Sequence, residues 1–315
     1  MNCLCCGRPL LTPDETGWHK ACIKRFFGIA KLPEIAIDDK TLNQLASETI
    51  NQGFTVPGVQ KKLSLHLASD GKEPRLTLVN FPTGYILKPQ VAEFKALPES
   101  EQLIMSMADM AGISTVPHAL IKGNTGLAYI TKRVDRHLKC NQLEMLAMED
   151  FCQLDQRLTE DKYKGSYERC AKIIKQYSSR VGIDITEFFI RLAFCFIVGN
   201  SDMHLKNFSL IETAEGSGEY VLSPAYDLLP VNAIIPADKE QFALAMNGRK
   251  ANIRKSDFLK LAENCDITLS IAKKLIQSVV RHSPKWMEMC DKSLLPSELK
   301  KRLNKIIAER TDCLK

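Results

Sequence analysis

Gly199-Asn200-Ser201-Asp202-Met203-His204-Leu205-Lys206-Asn207-Phe208 sets an Asp and an Asn five positions apart, with a His and a Lys between them. A further acid follows in Tyr226-Asp227, about one hairpin later. Transfer of a phosphoryl group to a hydroxyl needs such a set: an Asp to orient the acceptor and take its proton, then an Asn and a second Asp to hold Mg²⁺ against the phosphates. Asp202, just past a predicted helix end, is the candidate general base. Asn207 and Asp227 offer the hard oxygen ligands that Mg²⁺ prefers. Each residue also has a plainer reading. An Asp in such a loop is a common turn former, Asn207 could serve a loop hydrogen bond, and Asp227 could cap a helix ahead of Leu228-Leu229. The three together, in this order, favour chemistry.

Asp, Asn, Asp is also the order in which protein kinases supply these groups, and the rest of the chain is consistent with that plan. Between residues 60 and 90 the apolar period is two: Leu63, Leu65 and Leu67, then Leu76 and Leu78, then Tyr85-Ile86-Leu87. Turn residues separate these runs, so an antiparallel sheet of about three strands is expected. Pro98 opens a helix with Glu99 and Glu101 in its first turn, where carboxylates suit the dipole. Two more strands are expected at 116–122 and 127–134. Beyond 145 the pattern is mostly helical, with a clear helix over Thr186–Val198 capped by Asp184 and several amphipathic helices over 256–315. The fold class is α+β and two-lobed, protein-kinase-like. Three parts are expected: a Cys-rich segment at 1–50, a small antiparallel-sheet N-lobe at 51–134 and a mostly helical C-lobe at 135–315. Nucleotide is expected between the lobes.

Within that plan Lys88 ends a strand and is placed to contact the α- and β-phosphates, with Glu101, or else Glu99, as its ion-pair partner. Lys206 neutralises charge on the transferring phosphoryl or simply faces solvent. His204 fixes the loop or touches phosphate. Pro57-Gly58-Val59-Gln60-Lys61-Lys62 precedes the first strand, where a phosphate-covering loop belongs, though it is neither G-x-G-x-x-G nor a Walker loop. Lys132-Arg133-Val134-Asp135 joins the lobes, so its backbone would face adenine and Asp135 could reach the ribose. Tyr226 adjoins the metal-binding acid and is counted among the nucleotide contacts.

The 315 residues are 45% hydrophobic and carry a net charge of +6, spread in short clusters such as Arg249-Lys250. A solvated surface explains this better than a nucleic-acid face. No apolar run approaches membrane-spanning length. The N-terminus lacks a charged region followed by an apolar block, so it does not read as a secretory signal. With eleven cysteines, an odd number, reduced thiols in the cytoplasm are expected rather than a disulfide framework. Four positions stand apart: Cys3, Cys6, His19 and Cys22 read as C-x2-C followed by H-x2-C. They could close a tetrahedral Zn²⁺ site, with Cys5 able to replace a neighbour, or form a reduced cluster without metal.

Thr55-Val56-Pro57-Gly58-Val59-Gln60-Lys61-Lys62-Leu63, Tyr85-Ile86-Leu87-Lys88-Pro89, Pro98-Glu99-Ser100-Glu101, Lys132-Arg133-Val134-Asp135-Arg136, Met148-Glu149-Asp150-Phe151-Cys152-Gln153, Lys162-Tyr163-Lys164-Gly165-Ser166-Tyr167, the stretch 199–208 and Ser223-Pro224-Ala225-Tyr226-Asp227 together resemble the HipA-type toxin serine/threonine kinases. The resemblance is ordered and covers about residues 50 to 265. It implies an ATP- and Mg²⁺-dependent protein kinase acting as the toxin of a bacterial toxin–antitoxin system. Family substrates include aminoacyl-tRNA synthetases. A HipB-like DNA-binding antitoxin is implied as partner, so contact with nucleic acid would come through that partner. Inhibitory self-phosphorylation on the loop is implied too, and the matching position is Thr55. Pro57 stands where some relatives carry a second serine. Only about 50 residues precede the loop, which resembles the short HipT type, in which a small HipS-like protein supplies the missing part. The competing readings are a small-molecule kinase and a catalytically silent scaffold or co-repressor.

Overall fold

The computed structural model describes residues 1–10, 16–35, 62–68, 74–77, 84–123, 126–139 and 142–315. These fall into two compact units. The first joins Met1–Gln102 to Val116–Arg133, and the second joins Leu103–Thr115 to Val134–Lys315.

The first unit holds helix α1 (Lys20–Phe27), strands β1 (Glu34–Ile35), β2 (Leu63–Ala68), β3 (Arg75–Thr77) and β4 (Tyr85–Pro89), the start of helix α2 (Leu97–Met110), and strands β5 (His118–Gly123) and β6 (Gly126–Lys132). The alternating run at 63–89 forms three antiparallel strands, as its period demands. They belong to one six-stranded sheet in the order β1-β3-β2-β4-β6-β5. The parallel addition of β1 to β3 was not legible in so short a strand. Leu63, Leu65, Leu76, Tyr85, Leu87 and Ile130 build an apolar face, onto which α1 packs Cys22, Ile23, Phe26 and Phe27. Lys24, Arg25, Phe26 and Phe27 thus form the last turn of an amphipathic helix, with the two rings buried. Gly28, at φ 76, closes it by returning its N–H to the Lys24 carbonyl.

The second unit continues with a β7–β8 hairpin (Arg136–Lys139 and Gln142–Met145), β9 (Met148–Asp150), α3 (Phe151–Leu154), α4 (Tyr167–Tyr177) and α5 (Val181–Val198). Strands β10 (Ser209–Glu212) and β11 (Tyr220–Leu222) pair with β9 in the order β11-β10-β9. Helices α6 (Val231–Ile234), α7 (Lys255–Asn264), α8 (Leu269–Val280), α9 (Ser283–Lys292) and α10 (Ser297–Leu314) complete it. The β7–β8 hairpin occupies a stretch to which the sequence pattern assigned no element, and β9 opens the part that reads as mostly helical.

Helix α5 is apolar on nearly every side because it runs through the core, and every residue from Leu192 to Val198 is buried. Aromatic rings surround it: Phe188 lies against Phe208 at 5.2 Å, Phe194 against Trp286 at 5.2 Å and Phe196 against Phe258 at 5.6 Å. The helix starts five residues before the expected Thr186, and Asp184 is not its cap. The Asp184 carboxylate instead accepts from Ser178 Oγ, Arg180 Nε and the Leu222 N–H. Those three donors hold a buried acid inside the helix and fix α5 to strand β11. Among the described residues, no helix is long and apolar enough to cross a membrane.

Candidate active site

Helix α5 delivers the chain into the 199–208 stretch through a left-handed stop. Gly199 sits at φ 76, and the N–H groups of Gly199 and Asn200 return to the carbonyls of Phe196 and Cys195. A Cβ at Gly199 would lie 3.1 Å from Ile306, so both the backbone angle and the packing select glycine. Asn200, fully buried, then turns the chain by accepting the Asp202 N–H on its side-chain oxygen at 3.2 Å.

Asp202 is half-buried, and its Oδ1 accepts the Tyr163 hydroxyl at 2.8 Å. Its backbone carbonyl receives the His204 N–H at 2.8 Å and Asn207 Nδ2 at 2.9 Å. The Asp202–Asn207 segment is therefore a closed turn, ending in the single 3₁₀ turn Leu205–Asn207. Because the Asn207 amide nitrogen is used on that carbonyl, Oδ1 is the atom the side chain offers to a cation.

A second segment clasps this turn from outside. Leu205 donates its N–H to the Lys162 carbonyl at 3.1 Å, and the Tyr167 hydroxyl donates to the Met203 carbonyl at 3.1 Å. Burial holds the Tyr167 phenol well above its ordinary pKa, so it stays a donor. Tyr163 also stands edge-on to the buried His204 ring at 5.0 Å. The 162–167 segment thus meets the turn at Asp202, Met203, His204 and Leu205.

Lys206 reaches Asp150 Oδ2 at 2.6 Å. Asp150 also caps α3 through Gln153, so one acid anchors both a helix start and the candidate phosphoryl-neutralising lysine. Tyr226 ties the neighbour of Asp227, the candidate metal ligand, to the turn. Its hydroxyl donates to the Lys206 carbonyl at 3.1 Å and receives the Ser209 hydroxyl at 2.6 Å. Strands β10 and β11 pair antiparallel, with Ser223 N–H on the Ser209 carbonyl. Residues just before 209 and just after 223 therefore leave the same end of the hairpin. That topology sets Asn207 and Asp227 at one end. Asp227 adopts φ 57, a left-handed angle that an Asp tolerates better than most residues.

From the far side, the C-terminal helix steadies the α5 stop. Arg310 donates to the Phe196 carbonyl at 2.8 Å and to Asn232 Oδ1 at 2.6 Å, and Asn232 N–H meets the Gly199 carbonyl at 3.0 Å. Ser201 hydroxyl meets Asp238 at 2.6 Å.

In the first unit, Lys88 and Glu101 form an ion pair, Nζ to Oε1 at 2.5 Å, with both side chains essentially sealed from solvent. Strand β4 supplies the lysine, which also lies over the Tyr129 ring of β6 at 5.2 Å. Helix α2 supplies the glutamate. Gln90 fixes the connection between them: its Nε2 donates to the carbonyls of Val91 and Phe94, and its Oε1 accepts the Leu97 N–H. Glu99, the alternative partner, has a buried oxygen without a hydrogen bond, and burial raises its pKa. Asp135, in the second unit, is buried and paired with Arg136 at 2.9 Å.

Lys62 is exposed ahead of β2, and Lys132, Arg133 and Val134 are half-buried. Thr55, Pro57, Gly58, Val59, Gln60 and Lys61 lie outside the described residues. Cys3, Cys6, His19 and Cys22 converge within the first unit. Residue type and spacing alone assign no role to Tyr163, Tyr167 or Asp150. The runs Lys162–Tyr167 and Met148–Gln153 were the available signals, but neither says which part of the chain it meets.

Comparison with known proteins places this architecture. Residues 54–287 match the HipA-like C-terminal domain. A Haemophilus influenzae protein named "Putative kinase" is 24% identical over 78% of this chain and 77% of its own length. "Putative kinase Y4dM" of Sinorhizobium fredii is 30% identical over 73% of this chain and 57% of its own length, and "Putative kinase Y4mE" is 27% identical over 72% and 54%. The chain therefore spans little more than half of those two relatives. Among solved structures, a chain of the Shewanella oneidensis MR-1 toxin–antitoxin complex of HipA, HipB and operator DNA aligns over 88% of this chain and 70% of its own, with a TM-score of 0.72 at 18% identity. The Helicobacter pylori proinflammatory kinase CtkA aligns over 78% of this chain and 90% of its own, with a TM-score of 0.55 at 16% identity. The fold is thus the α+β, kinase-like fold of HipA and CtkA, and the chain belongs to the family of the HipA-like C-terminal domain.

Proposed function

We propose that the protein is an ATP-dependent serine/threonine protein kinase and the toxin of a toxin–antitoxin pair. The observation that carries this reading is the Asp202–Asn207 turn, closed on itself and clasped by Tyr163 and Tyr167. Such a turn holds a carboxylate in one place while leaving it partly open to an acceptor. Asp202 orients the acceptor hydroxyl and takes its proton as the phosphoryl group transfers. Lys88, held by Glu101, contacts the α- and β-phosphates of ATP. The Asn207 Oδ1 and the Asp227 carboxylate are the oxygens that would hold Mg²⁺, a donor set suited to that ion. When bound, Mg²⁺ neutralises phosphate charge. Lys206 is steered by Asp150 and reaches the transferring group only if that pair opens.

The family relationship supports the finer parts. A HipB-like antitoxin is the proposed partner because the Shewanella HipA structure is a complex with HipB and operator DNA. A small HipS-like third protein, a translation component such as an aminoacyl-tRNA synthetase as substrate, inhibitory self-phosphorylation at Thr55 and a cytoplasmic site of action follow from the resemblance of the sequence to the toxin kinases. The test is incubation of the purified chain with labelled ATP, Mg²⁺ and a bacterial lysate. A labelled protein other than the chain itself supports the reading, and its identification gives the substrate. Label in metabolites alone points to a small-molecule kinase, and no transfer at all points to a scaffold. Asp202→Asn is the control, since Asn keeps an oxygen for Tyr163 but takes no proton.

A further inference from the structure

We propose that Cys3, Cys6, His19 and Cys22 bind one zinc ion in a closed, structural site that anchors the N-terminal residues to the edge of the six-stranded sheet. The four ligand atoms all lie within 4.8 Å of one another. In a tetrahedral zinc site the bond lengths fix the sulfur–sulfur edge at about 3.8 Å and the sulfur–nitrogen edge at about 3.6 Å. His19 Nδ1 stands 3.4 Å from Cys6 Sγ and 3.8 Å from Cys22 Sγ, on either side of that value.

The histidine is already set for a metal. Its Nε2 lies 3.0 Å from the Pro9 carbonyl. A carbonyl only accepts, so Nε2 carries the proton and Nδ1 presents its lone pair toward the sulfurs. A ligating imidazole that donates its other N–H to a backbone carbonyl is the usual support around a metal.

The backbone is shaped to the same end. The Cys3 N–H meets the Arg8 carbonyl at 2.8 Å, and the Gly7 N–H meets the Cys3 carbonyl at 2.9 Å. Gly7 follows the second cysteine at φ 69, which lets so short a turn close. The His19 N–H points at Cys3 Sγ at 3.4 Å, a donor suited to a thiolate. His19 and Cys22 enter from the other side, at the cap and in the first turn of α1. Cys5 lies between Cys3 and Cys6 in sequence and shares the buried cluster of Cys3, Cys22, Trp18 and Phe26, but the four side chains whose ligand atoms converge do not include it. Three sulfurs and one imidazole in a tetrahedron suit zinc, and four protein ligands leave no position for substrate.

The site has work to do in the fold. Strand β5 is one of the two edges of that sheet. Its Leu120 N–H is taken by the Leu4 carbonyl at 2.9 Å, and its carbonyl by the Trp18 indole at 3.1 Å. Leu4 lies between two ligands, and Trp18 adjoins a third. The Gln102 amide, next to Glu101 on α2, donates to the Cys5 carbonyl at 3.4 Å. Zinc would therefore hold the two segments that cover this edge and touch the Glu101 helix. On binding, three thiols lose their protons to solvent.

The test uses the full chain without a histidine tag. Elemental analysis after dialysis should find about one zinc per chain. Cys3→Ser and Cys22→Ser should retain less than about a tenth of that, while Cys5→Ser keeps it. Should those variants prove insoluble, cobalt(II) added to metal-stripped wild type reports directly, through the intense d–d bands of a tetrahedral thiolate site and their loss when zinc is added. The melting temperature should also fall when a chelator removes the metal. Wild type that carries no zinc and gives no tetrahedral cobalt spectrum overturns the proposal. So does metal loss in Cys5→Ser equal to that in Cys3→Ser, or a disulfide recovered among the four ligands.

Discussion

The two sets of candidate catalytic residues are held by opposite means. Lys88 and Glu101 sit in a dry interior, where each charge is tolerable largely because the other is there. Asp202 is half-exposed, and neutral groups are among those that position it: a tyrosine hydroxyl, an asparagine side chain and the carbonyls and N–H groups of a tight turn. The first arrangement joins function to stability. The second separates them, because the turn is closed by backbone atoms that a change at the carboxylate does not touch. Substitutions on the two sides should therefore fail in different ways.

Asp202→Asn is the sharpest probe of that contrast. It should lower phosphoryl transfer by about 10²–10⁴-fold, the range expected for loss of a general base. The melting temperature should match wild type, since Asn can still accept from Tyr163. A parallel loss of fold would show that the acid is structural and would erase the distinction.

Glu101→Gln comes next. It leaves the Lys88 ammonium buried without its counter-charge, and breaking a buried pair costs about 3–5 kcal/mol. Denaturant melts should show that loss, and activity should fall with it. The double change Lys88→Met with Glu101→Leu removes both charges and should recover much of the stability while activity stays lost. Recovery of both would mean that the lysine is only a core residue.

These expectations show what the sequence could and could not carry. The 199–208 stretch was legible because its groups are contiguous, so spacing alone fixes them on one turn. Lys88 and Glu101 are separated by one connector, and a strand followed by a helix puts them within reach. The partners of the turn were not legible. Tyr163 meets Asp202 across 39 positions, and Asp150 meets Lys206 across 56. Periodicity carries no information about such pairings. Asp184 shows the same limit: an acid near a helix start reads as a cap, and only packing reveals that Ser178, Arg180 and Leu222 share its carboxylate. The β7–β8 hairpin escaped notice because four-residue strands leave too few alternations to establish a period.

Tyr163→Phe has a smaller expected effect and tests whether the clasp acts through the carboxylate. One hydrogen bond to a charged group is lost, worth about 1.5–3 kcal/mol if all of it is felt in the transition state. That corresponds to a fall of about 10- to 150-fold in kcat/KM. The ring, and with it the edge contact to His204, is kept. Tyr167→Phe should behave differently. Its hydroxyl is buried against a backbone carbonyl rather than the acid, so it should cost stability with little change in kcat for the protein that stays folded. If the two variants lose activity equally, the clasp works as one rigid unit and Tyr163 has no special role.

The Lys206–Asp150 pair gives the smallest effect on stability and decides one role left open. The lysine is about a third exposed, so solvent screens the pair, and its loss should cost only about 0.2–1 kcal/mol. Asp150→Asn frees Lys206 while keeping a polar side chain at the α3 cap. If Lys206 serves the transferring phosphoryl group, Asp150→Asn should hold or raise kcat and Lys206→Ala should lower it. If the lysine merely braces the turn against β9, the two variants should lose activity alike, because each removes the same contact. The sign of the difference between them separates a residue that touches the reacting group from one that only positions Asn207.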